Sequence, residues 1–279
     1  MSRTFQSSFS RFSRSAALLG RALLWLAATA GLAHAQQPAR PPATDELFFY
    51  YKDPRPERLS ELLISVQNQQ SPWNAYPPLA GMMAVILQRH PDQITPLVPL
   101  VTDPKAASAL IAAARLAGQP AKIEMLRAKF AGIGLDAKLN SELAGLPDRI
   151  ENLRIASPTH LDILWGASFA EGDGRFVVPI IDYFANAANA SEPVAIDIAK
   201  ITIEMMGGPK ETIKGLKDKY GEARAVQVVY AATALWAIQS NAHQHAFVKQ
   251  TVAKYIGDHP DTPATKALSA VMGIKNTRT

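Results

Sequence analysis

The stretch Leu79–Leu87 (LAGMMAVIL) shows most directly which kind of fold this chain adopts. Its large apolar residues, at positions 79, 82, 83, 86 and 87, recur every three or four residues, which is the period of one α-helix face. The same spacing recurs in 59–66, 109–117 and 226–236. Alternation of apolar and polar residues is nearly missing, except in 175–181, where a helix explains the pattern equally well. The sequence therefore predicts an all-α fold.

Proline and glycine mark where these helices begin and end. Ser157-Pro158 and Asp103-Pro104 pair a capping residue with proline at the first helical position, and Ser191-Glu192-Pro193 is similar. Glycine turns are expected at 172–174 and 207–209. Helices of about 10–18 residues with short connections are typical of antiparallel helix pairs. We therefore expect an irregular α-solenoid-like array, a TPR/HEAT-like superhelix, although no fixed repeat period is present.

Residues 1–35 have the features of a secretory signal peptide. They hold four arginines and no acidic residue, then an apolar run over 22–32, and they end in Ala33-His34-Ala35. We expect cleavage after Ala35 and a periplasmic or secreted protein. Residues 36–44 (QQPARPPAT) predict a Pro-rich linker, and 45–279 a single all-α helical-array domain.

The charge and the composition exclude several classes of function. The chain has 29 basic and 24 acidic residues, but the four basic residues of the leader leave 36–279 with a net charge of only +1. This balance predicts no nucleic-acid partner. The absence of cysteine excludes thiolate metal sites and cysteine nucleophiles. No later apolar run approaches 18 residues, so no membrane span is expected after the leader.

Two stretches carry a resemblance to known proteins. They are Phe48–Pro56 (FFYYKDPRP) and Leu161–Ala170 (LDILWGASFA), the latter followed by Gly172-Asp173. In this order they resemble a set of uncharacterised, exported, mostly helical bacterial proteins. The resemblance implies an exported bacterial helical protein. It carries over no function and no site residue.

Histidine is the first candidate for chemistry, and His243 and His245 are its closest pair. Their i, i+2 spacing points them about 200° apart on a helix, whereas a helical metal site needs i, i+4. We interpret them as solvated or capping residues, with a surface chelate in a loop as the alternative. His90 and His259 each begin a His-Pro-Asp tripeptide at a helix end, where imidazole suits the helix dipole. The two tripeptides are candidates for degenerate copies of one turn.

His160 and Asp162 lie near the start of the helix predicted over 157–170. We interpret Asp162 as a first-turn residue favoured by the helix dipole, with a Ser/His/Asp arrangement as the alternative. The following turn, Glu171–Arg175 (EGDGR), combines charge with glycine. One interpretation is a loop that presents a carboxylate and a guanidinium group to a ligand. The other is a simple reversal of the chain, in which Asp173 is a helix-capping residue and Arg175 is solvated. We favour the reversal.

The remaining candidates are expected to be structural. Four successive aromatic residues, Phe48–Tyr51, are expected to dock within the chain, with a partner surface as the alternative. Trp165 and Trp236 are expected in the core. Lys210–Lys219 predicts the exposed face of a helix that buries Ile213 and Leu216. Three acidic pairs are expected to be solvated: Asp45–Glu46, Glu57–Glu61 and Asp258–Asp261.

These observations assign no catalytic, cofactor-binding or metal-ligating residue, and no cofactor is expected. The leading hypothesis is a protein- or peptide-binding module of the bacterial cell envelope. One alternative is a hydrolase with a carboxylate or histidine site, favoured if His160, Asp162, Asp173 and Arg175 converge. The other is a structural subunit of an envelope complex. The sequence leaves the oligomeric state open.

Overall fold

The structure, a computed structural model, describes residues 47–69, 73–208 and 210–273. In these residues it contains thirteen α-helices and no strand, which confirms the all-α class. The predicted signal peptide and Pro-rich linker lie outside the described residues. Within them, no helix combines the length and the apolar character needed to cross a lipid bilayer.

Six helices make up the N-terminal half of the described chain. They are α1 (Arg58–Asn68), α2 (Tyr76–Arg89), α3 (Ile94–Leu97), α4 (Pro104–Leu116), α5 (Pro120–Lys129) and α6 (Ala137–Leu143). Seven follow, namely α7 (Pro158–Glu171), α8 (Val177–Ala188), α9 (Glu192–Met205), α10 (Thr212–Tyr220), α11 (Glu222–Gln244), α12 (Ala246–Asp258) and α13 (Pro263–Met272). Short 3-10 turns join several of them.

The helix starts agree with the sequence signals. Asp103, Ser157 and Ser191 are N-cap residues in extended conformation, and each precedes a helix with proline in its first two positions. The Asp103 carboxylate accepts from the backbone N–H groups of Lys105 and Ala106 at 2.7 and 3.0 Å. Such a cap satisfies donors that the helix itself leaves unpaired. The two His-Pro-Asp turns also share a conformation, with φ/ψ of −129°/70° at His90 and −127°/59° at His259.

Two central helices organise the packing. α2 lies between α4 and α7, and α11 is surrounded by α8, α9, α10 and α12. The contact of α2 with α7 joins helices that are far apart in sequence, whereas solenoid repeats contact only their neighbours. The prediction of a superhelix is therefore not confirmed by this packing.

Two glycines make the crossing of α2 and α7 unusually close. A Cβ on Gly81 would lie 1.9 Å from the carbonyl oxygen of Ile163, and one on Gly166 would lie 1.8 Å from that of Pro78. Both obstacles are backbone atoms, which cannot rotate away as a side chain can. Only glycine allows the two backbones this approach. The crossing fixes the position of α7, the helix that carries Asp162.

The aromatic segment Phe48–Tyr51 docks within the chain, as predicted. The Phe48 ring meets that of Phe169 edge-on at 5.1 Å, and Tyr50 is buried. Trp165 is a core residue as predicted, whereas Trp236 is partly exposed. The predicted lysine-rich helix is α10, with Leu216 buried and Ile213 packed against the core.

Candidate functional site

Asp162 is the most unusual titratable residue of the described chain. It is the fifth residue of α7, so the prediction that it stabilises the first turn through the helix dipole is wrong. Its side chain is half-buried, and burial raises its pKa from the ordinary 3.8 to about 7. The surroundings of this carboxyl group therefore disfavour its charged form.

A second carboxyl group lies on the same side of α7. The hydroxyl of Thr159 donates to Glu142 Oε2 at 3.2 Å. Thr159 is buried and stands three residues before Asp162, so both occupy neighbouring positions along one side of the helix. α6 therefore brings the half-buried Glu142 towards the stretch of α7 that holds Asp162.

Two tyrosines complete this part of the molecule. Burial, and then the negative charge of Glu142, raise the pKa of Tyr230 in α11. Burial, and then Tyr230, raise the pKa of Tyr183 in α8. Both side chains are partly exposed. We use the name acidic recess for five residues on α6, α7, α8 and α11: Glu142, Thr159, Asp162, Tyr183 and Tyr230. The hydrogen bond between Thr159 and Glu142 joins α6 to α7, and Asp162 follows Thr159 by three residues.

The acids of the recess differ from the buried acids elsewhere. Within the described residues, neither Asp162 nor Glu142 forms an ion pair, and Asp162 accepts no hydrogen bond. Asp197, in contrast, accepts from Lys219 Nζ at 2.7 Å and from the Tyr220 hydroxyl at 2.8 Å. Glu204 accepts from the backbone N–H of Thr212 at 2.7 Å, at the start of α10. Within the described residues, the carboxyl groups of the recess thus lack the ion-pair partner that Asp197 has in Lys219.

A hydrogen-bond donor lies on the same side of α7. Trp165 is 5% exposed, and its Nε1–H has no acceptor among the described residues. It stands three residues after Asp162, and its ring stacks on that of Phe169 at 6.1 Å. A buried donor without an acceptor is uncommon in folded proteins. The helix α7 thus carries both a carboxyl group and an indole N–H without a described partner.

The other residues of the predicted hydrolase site have different partners. His160 Nδ1 lies 2.9 Å from the carbonyl oxygen of Arg154. The Asp173 carboxylate accepts from the backbone N–H of Arg175 at 2.8 Å, which makes the expected chain reversal. The contacts of His160, Asp173 and Arg175 thus lie outside the acidic recess, and only Asp162 belongs to it.

Arg175 is exposed, as expected of a solvated residue, but its charge is also paired. Its guanidinium donates to Glu151 at 2.7 Å and to Glu171 at 3.4 Å, and Arg89 also pairs with Glu171. These contacts tie the 171–175 turn to the end of α2. Glu151 and Arg175 also line a cleft of about 340 Å³, together with apolar residues such as Leu164 and Phe176. Because each charge has a partner, we interpret the network as structural.

The two neighbouring histidines do not form a chelate. His243 is exposed, as expected for a solvated residue. His245 is the capping residue between α11 and α12, but it is buried rather than solvated. Its ring lies 4.9 Å from that of Phe49 and 5.0 Å from that of Phe169, and its Nδ1 is 3.2 Å from the Tyr51 hydroxyl. An aromatic cluster therefore explains this histidine.

Neither the search for metal ligands nor the comparison with known proteins assigns a function to these residues. No cluster of three or more histidine, aspartate or glutamate side chains placed to hold a metal occurs in the described ranges. No family model, no curated protein and no solved structure matches the chain. The functional argument therefore depends on the geometry of the acidic recess.

The sequence identified Asp162 as a candidate residue but did not identify the other residues of the acidic recess. Glu142, Tyr183 and Tyr230 lie on three other helices, and Tyr230 stood out only as part of an apolar helix face. The one available signal was a carboxylate inside the nearly unbroken apolar run of 161–170. An acid at such a position is seldom fully solvated. The signal points to Asp162 alone and says nothing about which helices face it.

Proposed function

We propose that this chain is a non-catalytic binding module of the bacterial cell envelope, which holds a protein or peptide segment at the acidic recess. One observation carries the proposal. Asp162 and Glu142 have no cationic partner in the described chain, whereas Asp197 and Glu171 are both paired with basic side chains. Buried charge is normally paired because desolvation is costly. A recess that violates this rule fits a site completed by a ligand.

The location and the wider shape of the module are part of the same proposal. The basic and apolar leader with its Ala33–Ala35 site supports export, to the periplasm or beyond. Stacked helix pairs in a superhelical array form extended grooves that suit peptides. Support for such a groove comes from α11, where Tyr230, Thr233 and Ala237 recur at helical spacing and are partly exposed.

Affinity capture in the native host tests the proposal. The tagged protein is expressed with its own leader, purified without denaturant, and its partners are identified by mass spectrometry. We compare the wild type with Asp162→Asn and with Asp218→Asn, which removes an exposed carboxylate on α10. We expect a stoichiometric envelope protein that the wild type and Asp218→Asn retain and Asp162→Asn loses. A partner-free wild type, or equal retention by Asp162→Asn, would overturn the proposal.

One observation favours a second candidate, a carboxylate-dependent hydrolase. With a pKa of about 7, Asp162 is partly protonated at neutral pH, which is the state that a general acid requires. Glu142 supplies a second carboxyl group, which is hydrogen-bonded to Thr159 on the same helix as Asp162. The test is hydrolysis of cell-wall and peptide substrates. Activity that peaks near neutral pH and falls at least 100-fold in Asp162→Asn would replace the binding proposal with this one.

A further inference from the structure

We propose that the cleft lined by Glu151, Leu164, Arg175 and Phe176 binds a small neutral molecule with an apolar body and one hydroxyl or amide group. We call it the α7–α8 cleft. This inference goes beyond the proposed function and does not depend on the acidic recess. Leu164 stands two residues after Asp162, so the two side chains leave α7 in different directions. The apolar floor of the cleft, its pair of charges and their remaining hydrogen-bonding capacity carry the inference.

The floor of the α7–α8 cleft is apolar and preformed. Its volume of about 340 Å³ is at the lower end of the range for small-molecule sites, roughly 300–1,000 Å³. Ile150, Leu153, Leu164 and Phe176 line it, and each of these residues is at most 4% exposed. Buried side chains in a closely packed core hold their positions. The cleft therefore has room for one ring or one branched chain without repacking of the core.

A pair of opposite charges belongs to the lining of the cleft. Arg175 Nη2 donates to Glu151 Oε1 at 2.7 Å, and Glu151 Oε2 accepts from the Gln88 amide at 3.2 Å. The buried Glu171 also accepts from Arg175, at 3.4 Å. The guanidinium group lies over the Phe176 ring, 4.5 Å from its centroid. The structural network thus holds both charged groups in place, which lowers the entropy cost of binding a ligand between them.

Both charged groups keep hydrogen-bonding capacity. A guanidinium group carries more N–H donors than the two that the Arg175 side chain uses in its described contacts. A carboxylate has about four acceptor positions, and Glu151 uses two of them for Arg175 and Gln88. Both side chains remain partly open to solvent. A hydroxyl or amide group has a donor and an acceptor, so it can bond to both members of the pair at once.

Charged and purely apolar ligands fit the α7–α8 cleft less well. An anionic ligand would be attracted by Arg175 but repelled by Glu151, and a cationic ligand would meet the reverse. The pair therefore cancels most of the gain from a ligand charge, while the cost of taking that charge out of water remains. A hydrocarbon would remove water from both charged groups without replacing its hydrogen bonds. A neutral molecule with one polar group satisfies the floor and the charge pair together.

Four probes with the same ring test the inference on the purified protein near neutral pH. They are benzyl alcohol, which is neutral and polar, toluene, which is apolar, benzoate, which is anionic, and benzylamine, which is cationic. NMR follows the ¹³C-labelled methyl groups of Leu153 and Leu164, with Leu216 on α10 as the remote control. We expect benzyl alcohol to bind at least about five times more tightly than each other probe, the effect of one net hydrogen bond. Equal binding of toluene or of a charged probe, or equal shifts at Leu216, would overturn the inference.

Two variants test the role of the charge pair. Glu151→Gln removes the repulsion of an anion but keeps Arg175, so benzoate should bind at least about five times more tightly than to the wild type. Arg175→Gln should do the same for benzylamine, and it provides the test if circular dichroism shows that Glu151→Gln is not folded. Asp218→Asn, which removes an exposed carboxylate on α10, should change the affinity of neither probe. Unchanged affinities for the charged probes in the folded variants would show that the pair does not select neutral ligands.

Discussion

Two pairs of positions in α7 differ in how completely the protein satisfies their atoms. At the crossing positions, Ile163 and Gly166, the backbone of α7 meets that of α2 so closely that no side-chain atom fits between them. At the unpaired positions, Asp162 and Trp165, polar groups remain without a described partner. The crossing positions stabilise the fold and the unpaired positions destabilise it. A single helix can thus provide a rigid base for a site whose polar groups are left for a ligand.

Substitution of the crossing glycine should change the stability of the protein more than any other single substitution in α7. In Gly166→Ala the new Cβ would lie 1.8 Å from the carbonyl oxygen of Pro78, so α2 and α7 must separate. We expect the free energy of unfolding to fall by at least about 3 kcal/mol, the upper end of overpacking costs. Chemical denaturation monitored by circular dichroism measures it.

Gly215→Ala is the matched control for the crossing. Gly215 lies inside α10, and a Cβ there meets nothing within 4 Å. Alanine in a helix interior is more favourable than glycine by up to about 1 kcal/mol. We expect a small stabilisation. A loss of less than about 1 kcal/mol in Gly166→Ala would show that the crossing adapts, and would remove the contrast between the crossing positions and the unpaired positions of α7.

Replacing Asp162 should increase the free energy of unfolding, which is the opposite of the effect expected for Gly166→Ala. Because the pKa of Asp162 is raised in the folded state to about 7, the folded chain binds more protons than the unfolded chain between about pH 4 and pH 7. The free energy of unfolding therefore falls as the pH rises through this window and is lowest above pH 7. Asp162→Asn lacks this titration and should be about 2–3 kcal/mol more stable than the wild type at pH 8.

The pH dependence of that difference is the decisive measurement. Denaturation curves at pH 4, 6 and 8 should give a stability gain that is near zero at pH 4 and largest at pH 8. Asp218→Asn, which removes an exposed carboxylate, should show no comparable trend. A gain that does not change with pH would mean that Asp162 is not desolvated, and the acidic recess would lose its strongest argument.

The sequence predicted the helix α7 itself better than the helices that pack against it. The period of the apolar residues and the Ser157-Pro158 start depend on local interactions, so the helix was predictable. The close approach of Gly81 to Ile163 and of Glu142 to Thr159 depends on how distant helices pack, which no local pattern encodes. The same reason explains why the pairing of Arg175 was not predicted, since its partner Glu151 lies on a separate 3-10 turn.

Asp197, an acidic residue with hydrogen-bond partners, provides a second comparison with Asp162. Asp197 is more deeply buried than Asp162, but it accepts hydrogen bonds from Lys219 and Tyr220. Asp197→Asn leaves these two donors with a weaker acceptor, so we expect a loss of about 1–2 kcal/mol in the free energy of unfolding. The same denaturation assay at pH 8 measures it. A stabilisation, as expected for Asp162→Asn, would show that pairing does not distinguish the two acids.

The docked aromatic segment Phe48–Tyr51 gives the smallest effect, because one hydroxyl group can be removed while its ring contacts stay. Tyr51→Phe removes the hydroxyl that lies 3.2 Å from His245 Nδ1 but keeps the ring contact with Phe247 at 5.1 Å. We expect a loss of about 0.5–1 kcal/mol in the free energy of unfolding, the usual contribution of one hydrogen bond. Tyr255→Phe is the control, because that hydroxyl makes no hydrogen bond to a described residue. If the two variants are equally stable, the rings of His245 and Phe247 hold Tyr51 in place without help from its hydroxyl, and this segment resembles the crossing positions of α7 in depending on packing alone.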